Sequence, residues 1–216
     1  MIKPTLYELK MMQQILGVDT LTSKLDKLGQ YVEMVLTENQ KHNLIGSSTV
    51  NNIWSRHIID SLQLFPYLQN TKNVVDLGSG AGFPAIIIAI CIDAPVILIE
   101  KSPVKAKFLQ TVVNDLRLTN VAVRNVSLNT DNCIDLISNN AVITSRAFKS
   151  VKEILRLLHN VYYVNKILLL KGQFWKQEID DTERTIMQKW RYQAHNSVLK
   201  SGVVLELTSD YNCARE

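Results

Sequence analysis

Residues 74–84 read VVDLGSGAGFP, an acid at Asp76 followed by glycines at 78, 80 and 82. Glycines at such a place let the chain turn tightly and let a ligand approach closer than any Cβ would permit. Their spacing discriminates between ligands. A dinucleotide loop, G-x-G-x-x-G, needs a small residue at position 83, where this chain has Phe83. A carboxylate at Asp76 is unhelpful beside a pyrophosphate but suits a ligand that carries an ammonium group. The pattern therefore predicts S-adenosylmethionine rather than NAD, cradled by Asp76, Gly78 and Gly80. Glu100, 22 residues beyond Gly78, is placed to accept both hydroxyls of a ribose. The competing expectation for both acids is a solvated strand end that caps the next helix.

A second group of residues suits an anionic or planar ligand. Arg146, in TSRAF (144–148), could grip a phosphate, hydrogen-bond O6 of a guanine or hold a cofactor carboxylate. Phe148 either stacks on an unpaired base or packs in the core. Arg146, Lys149, Lys152, Arg156, Lys166, Lys171 and Lys176 face one acid, Glu153, over 31 residues. This run, with Lys149 and Lys171 at the same rim as Arg146, is expected to meet phosphates rather than only solvent. Arg56 and His57 open RHIIDSL (56–62). Helical spacing sets Arg56 against Asp60 as a local pair and His57 with Ser61, His57 being either a surface group or one that lines a site. Lys101, Lys105 and Lys107 read as a solvated helix face. The histidines at 42, 57, 159 and 195 lack metal-ligand spacing, so no metal is expected. Three cysteines without a CxxC suggest reduced thiols.

Elements of two kinds must position these groups. Before residue 73, apolar residues recur at helical spacing in 6–16, 25–36 and 53–65, giving an N-terminal helical extension over 1–72. Thr22 or Ser23 is the expected cap of the second helix, and 39–52 reads as a loop. From 73 to 216, β-branched runs at 73–77, 96–100, 121–125, 141–144, 167–171 and 203–207 alternate with helical segments. That alternation implies βαβ units and a mainly parallel sheet, with ligands at the carboxyl ends of its strands. Ser102-Pro103 reads as a cap and first residue of the helix after Glu100. Tyr192 to Leu207 reads as a hairpin whose last strand runs antiparallel. The longest uncharged apolar run, 85–92, is too short to cross a bilayer, and MIKPTLYELKMMQQ has no continuous apolar core, so a cytoplasmic protein is expected.

RHIIDSL, DLGSGAGFP (76–84), TSRAF and LLLKGQ (168–173), in that order, resemble the bacterial ribosomal RNA small-subunit methyltransferase G family, also called the glucose-inhibited division protein B family. The likeness runs from about Asn43 to Gln173. It implies an α/β, Rossmann-like class I S-adenosylmethionine-dependent methyltransferase fold with a mainly parallel seven-stranded sheet. It further implies methyl transfer to ring N7 of a guanine in small-subunit (16S) rRNA, with the rRNA or the small ribosomal subunit as partner. Carried over, it places Gly78 and Phe83 at the cofactor and Val126-Ser127 by the adenine. Arg146 then stands at the methyl-transfer end, as catalytic residue and cofactor contact. Family members often have glycine where Ala85 stands and an acid where Ser127 stands.

The chemistry fits an N7 acceptor, which offers a lone pair and has no proton to remove, so no general base is required. The polar-Pro-Pro-aromatic loop of exocyclic-amine methyltransferases is missing from 144–148, and none of Cys91, Cys133 and Cys213 falls at the end of the fourth or fifth strand. A small-molecule or protein methyltransferase of the same fold is the alternative enzyme, and a silent RNA-binding module the non-enzymatic one. A monomer is expected.

Overall fold

A computed structural model describes residues 2–209; Cys213 lies outside the described residues. The N-terminal helices form where the apolar spacing requires. Helix α1 spans Leu6–Leu16, opened by a reciprocal cap in which Glu8 N–H donates to Thr5 Oγ1 and Thr5 N–H to the Glu8 carboxylate. Helix α2 spans Val18–Asn39 and begins directly after Gly17, at φ +80°. Neither Thr22 nor Ser23 caps it, contrary to expectation. Their hydroxyls donate back to the carbonyls of Val18 and Thr20 at 2.9 Å, inside a helix already under way.

The segment after α2 is more ordered than a loop. Asn39 Oδ1 accepts from Leu44 N–H and Ile45 N–H at 2.8 and 2.9 Å. A 3₁₀ turn at Ser47–Asn52 then leads into a π-helical turn at Trp54–Ile59 and a last α-turn, α3, at Asp60–Leu62. Single π turns inside helices recur at functional sites. A further 3₁₀ turn follows at Phe65–Leu68.

From here strand and helix alternate: β1 Val74–Leu77, α4 Ala85–Cys91, β2 Val96–Glu100, α5 Pro103–Asp115, β3 Val121–Asn125, α6 Cys133–Leu136, β4 Val142–Arg146, α7 Val151–Leu157 and β5 Lys166–Lys171. Two short helices, α8 Trp175–Asp180 and α9 Arg184–Met187, precede the hairpin of β6 Trp190–Asn196 and β7 Val203–Ser209. The expected Ser102 cap forms, with Pro103 first in α5. The sheet order is β3-β2-β1-β4-β5-β7-β6. The first five strands are parallel, and β7 runs antiparallel to both its neighbours. The order reverses between β1 and β4, the point at which such sheets open a crevice at their carboxyl ends.

Alternate residues of each strand serve opposite faces. Val75 and Leu77 pack with Ile143, Val151, Ile154 and Ile167 under α7. Val74, Leu98 and Leu168 pack on the other side with Ile86 and Leu109 of α4 and α5, and there Met12, Leu28, Tyr31 and Ile58 of the N-terminal segment join the same cluster. The extension thus shares one core with the sheet. Among the described residues, no helix is long and apolar enough to cross a membrane.

Candidate active site

The carboxyl ends of β1, β2, β3 and β4 surround a cavity of about 550 Å³, a volume typical of small-molecule sites. Its wall includes Gly78, Gly80, Phe83, Glu100, Val126, Ser127, Arg146, Phe148 and Lys149, all expected at the site. Gly78, Gly80 and Gly82 all have positive φ, so this turn can be built only from residues without a Cβ penalty. A Cβ on Gly82 would stand 2.7 Å from the Tyr31 hydroxyl and 2.6 Å from Ile86 Cγ1. Tyr31 also donates to the Ala81 carbonyl at 2.6 Å, so α2 holds the glycine loop from behind. Tyr31 carried no functional signal in the sequence beyond helical periodicity.

The two strand-end acids have different fates. Glu100 lies in the wall, where Oε2 accepts from Gly80 N–H at 2.8 Å and Oε1 from Ser102 N–H at 2.7 Å. Each oxygen keeps a second lone pair for a ligand hydroxyl. Asp76 is not in the wall. It is 1% exposed behind the loop; Oδ1 accepts from the Thr144 hydroxyl at 2.7 Å, and Oδ2 has no partner. Contact with a ligand's ammonium is expected from the sequence; here the carboxyl lies buried beneath the turn, on the face of β1 that Val74 shares. Burial pushes its carboxyl up to about 6.

Arg146 is where two separate sequence motifs meet. Its Nη1 donates to the Arg56 carbonyl at 3.1 Å and to Asp60 Oδ2 at 3.2 Å, and its Nη2 donates to His57 Nδ1. Its guanidinium also lies over the Phe83 ring, 5.3 Å from the centroid. Asp60 thus pairs across the fold with Arg146 rather than along the helix with Arg56, since the π turn and the end of β4 face each other. His57 is not a surface group: it is buried, with its ring 4.8 Å from that of Phe83. Burial, then Arg146 and Arg56, push its pKa down to about 3, so it is neutral. With Nδ1 accepting from Arg146, the proton sits on Nε2, which donates to Thr49 Oγ1 at 2.9 Å; Thr49 donates in turn to the Gly46 carbonyl at 2.8 Å. Gln63 extends the network, donating to Asp60 Oδ1 at 3.1 Å and accepting from Val198 N–H at 2.8 Å.

A second, outer cleft of about 750 Å³ lies beyond this wall and shares His57, Arg146, Ala147, Phe148 and Lys149 with the inner cavity. Arg56, Lys171, Glu153 and Glu178 line it as well. The basic run expected to meet phosphates is largely neutralised here, by acids both near and distant in sequence. Lys149 pairs with Glu153, Lys152 and Arg156 with Glu183, Lys166 with Glu206 and Lys171 with Glu178. Lys171 is 11% exposed and also donates to the Lys149 carbonyl at 2.7 Å, so it holds the rim together instead of offering a free cation. Lys101 and Lys105, expected on a solvated face, line the inner cavity. Among the described residues, no three His, Cys, Asp or Glu side chains could hold a metal. Cys91 and Cys133 are free thiols.

Comparison with known proteins agrees with this architecture. Residues 24–203 match a sequence model of the family described as rRNA small subunit methyltransferase G. The ribosomal RNA small subunit methyltransferase G of Rickettsia akari (strain Hartford) is 33% identical over 191 residues, covering 86% of this chain and 94% of that protein. Among solved structures, a SAM dependent methyltransferase from Aquifex aeolicus superposes with a TM-score of 0.56 at 18% identity, over 70% of this chain and 90% of that one. A variant of MtNAS in complex with S-adenosylmethionine gives 0.56 at 14% identity, over 92% and 82%. At such identities the structural likeness speaks for the fold, which is the Rossmann-like methyltransferase fold.

Proposed function

The chain belongs to the rRNA small subunit methyltransferase G family, and on that premise we propose that it moves a methyl group from S-adenosylmethionine to ring N7 of a guanine in small-subunit rRNA. The residues at the inner cavity fit that cofactor. Gly78 and Gly80 give it a floor without side chains, Glu100 offers free lone pairs to a ribose, and Val126-Ser127 close the far end where a purine would lie. Asp76, with Oδ2 unpartnered, is a buried negative charge that a cationic ligand above the loop would compensate. Bound there, S-adenosylmethionine supplies an electrophilic methyl on a positively charged sulfur.

The observation that carries the choice of N7 is that the bases lining the outer cleft beside Arg146 are tied into the fold by hydrogen bonds and ion pairs. His57 is neutral with both nitrogens committed, Asp60 is held by Arg146 and Gln63, Glu178 by Lys171, and Glu153 by Lys149 and the cap of α7. An acceptor that brings its own lone pair, as N7 does, loses no proton on attack and needs none of them free. Arg146 spends three of its five N–H donors on the fold, leaving Nε–H and one Nη2 hydrogen for the acceptor.

The test is incubation of the protein with methyl-labelled S-adenosylmethionine and small ribosomal subunits lacking the modification, followed by nucleoside analysis. Labelled 7-methylguanosine is the expected product; label in protein, in metabolites or in another nucleoside overturns the assignment. Arg146→Ala is expected to lower transfer roughly a hundredfold or more, as removal of a positioned donor does. Its circular dichroism must stay near that of the parent, and near-normal transfer by the variant would remove Arg146 from the reaction.

A further inference from the structure

The inner cavity and the outer cleft touch along one wall, yet methyl donor and acceptor must come within about 3–3.5 Å of each other for transfer. Some of that wall must therefore move. Arg146 is fixed by Arg56, Asp60 and His57. Phe148 has no polar tether, is half-buried, and follows Ala147, an exposed non-glycine residue in left-handed backbone at φ +53°. Its ring rests directly on Gly78. A Cβ there would overlap the ring and stand 2.8 Å from Phe148 Cγ. The aromatic therefore occupies the open face of the glycine turn, the face that a ligand cradled by that turn must use.

We propose that the outer cleft is the seat of the acceptor purine, and that Phe148 is the movable part of its wall, leaving Gly78 when the inner cavity fills and stacking on the base. This rests on the methyl-transfer reaction proposed above. Three features favour a nucleobase as occupant. An aromatic face with a cation beside it, here Lys149 Nζ 5.6 Å from the Phe148 centroid, stacks any base without reading its sequence. The two donors left on Arg146 belong to a planar hydrogen-bonding group in the same wall. Arg56, exposed at the cleft's rim, lies where the attached phosphate would leave.

The experiment places 4-fluorophenylalanine at position 148 of the full chain and follows its fluorine resonance. Addition of S-adenosylhomocysteine is expected to shift the resonance as the ring leaves Gly78, and guanosine 5′-monophosphate to shift it again. A resonance that S-adenosylhomocysteine leaves in place overturns the movable wall. One that ribose 5-phosphate shifts as far as guanosine 5′-monophosphate does overturns the base platform. In parallel, Phe148→Tyr is expected to keep kcat/KM for small-subunit rRNA within about threefold, and Phe148→Leu to lose roughly ten- to a hundredfold, the range of one base stack. Phe148→Leu should lose less in binding of S-adenosylhomocysteine than in transfer. Parent-like transfer by Phe148→Leu, or equal losses of transfer and binding, overturns the proposal. If the unaltered chain labels no rRNA, the reaction itself is wrong, and the fluorine response still decides the cleft.

Discussion

Burial, with Arg146 and Arg56 beside it, pushes the His57 pKa down to about 3, so a residue often read as an acid–base catalyst serves here as a neutral spacer between Arg146 and Thr49. The shift has a consequence for stability. An unfolded chain binds a proton at this histidine below about pH 6.5, whereas the folded chain resists it down to about pH 3. Stability is therefore complete above the upper value and is lost as pH falls through the window, by at most about 1.4 kcal/mol per pH unit. Asparagine keeps an acceptor for Arg146 but cannot titrate. Denaturant melts at about pH 7 and about pH 4.5 should thus show a larger loss in the parent than in His57→Asn, and equal losses would clear His57 of the effect. Sequence placed His57 in a marked motif but not in a role, because neutrality comes from burial and from Arg146, 89 positions away.

Element packing explains how a mobile-looking glycine turn is held in shape. Helix α2 presents Tyr31 to the loop, with a hydrogen bond to the Ala81 carbonyl and a ring contact 5.3 Å from Phe83. Tyr31→Phe keeps the ring and leaves that carbonyl without this donor. A stability loss of about 1–2 kcal/mol is expected, together with severalfold weaker binding of S-adenosylhomocysteine, since the loop must then be ordered by the ligand. Calorimetric titration beside a thermal melt separates the two: full stability loss with unchanged affinity would confine Tyr31 to packing. Strands and the α5 cap were legible because alternation and Ser-Pro are local signals. The start of α2 and the π turn around His57 were not. Side-chain hydroxyls of Thr22 and Ser23 bond backward as readily as forward, and a π turn has the same composition as an α turn.

At the scale of the whole molecule, the N-terminal segment packs over α4 and α5 on one side of the sheet and shares their core. Leu28, Tyr31, Val32 and Ile58 are fully buried in the cluster that also holds Ile86, Leu98 and Leu109. Each buried aliphatic or aromatic side chain contributes about 1.5–3 kcal/mol, and losing several removes as much as the roughly 5–15 kcal/mol by which a domain of this kind is stable. A chain beginning at Asn73 should show no cooperative thermal transition, although it retains the entire glycine loop and all seven strands. A sharp melt from that truncation would show the sheet to be self-sufficient.

The sequence by itself determined the order of strands and helices along the chain and the glycine turn, because each depends on spacing within a few residues, while Phe83 and Val126-Ser127 were reached only through the family resemblance. Only the tertiary structure decided which charges are available. Arg146 meets Asp60, Lys171 meets Glu178, and Lys152 and Arg156 meet Glu183, all across gaps that no periodicity encodes. It also decided that Asp76 lies beneath the loop and that Phe148 lies on it. Charge strength and accessibility are set by burial and by neighbours brought in from other elements, and those exist only once the core has closed.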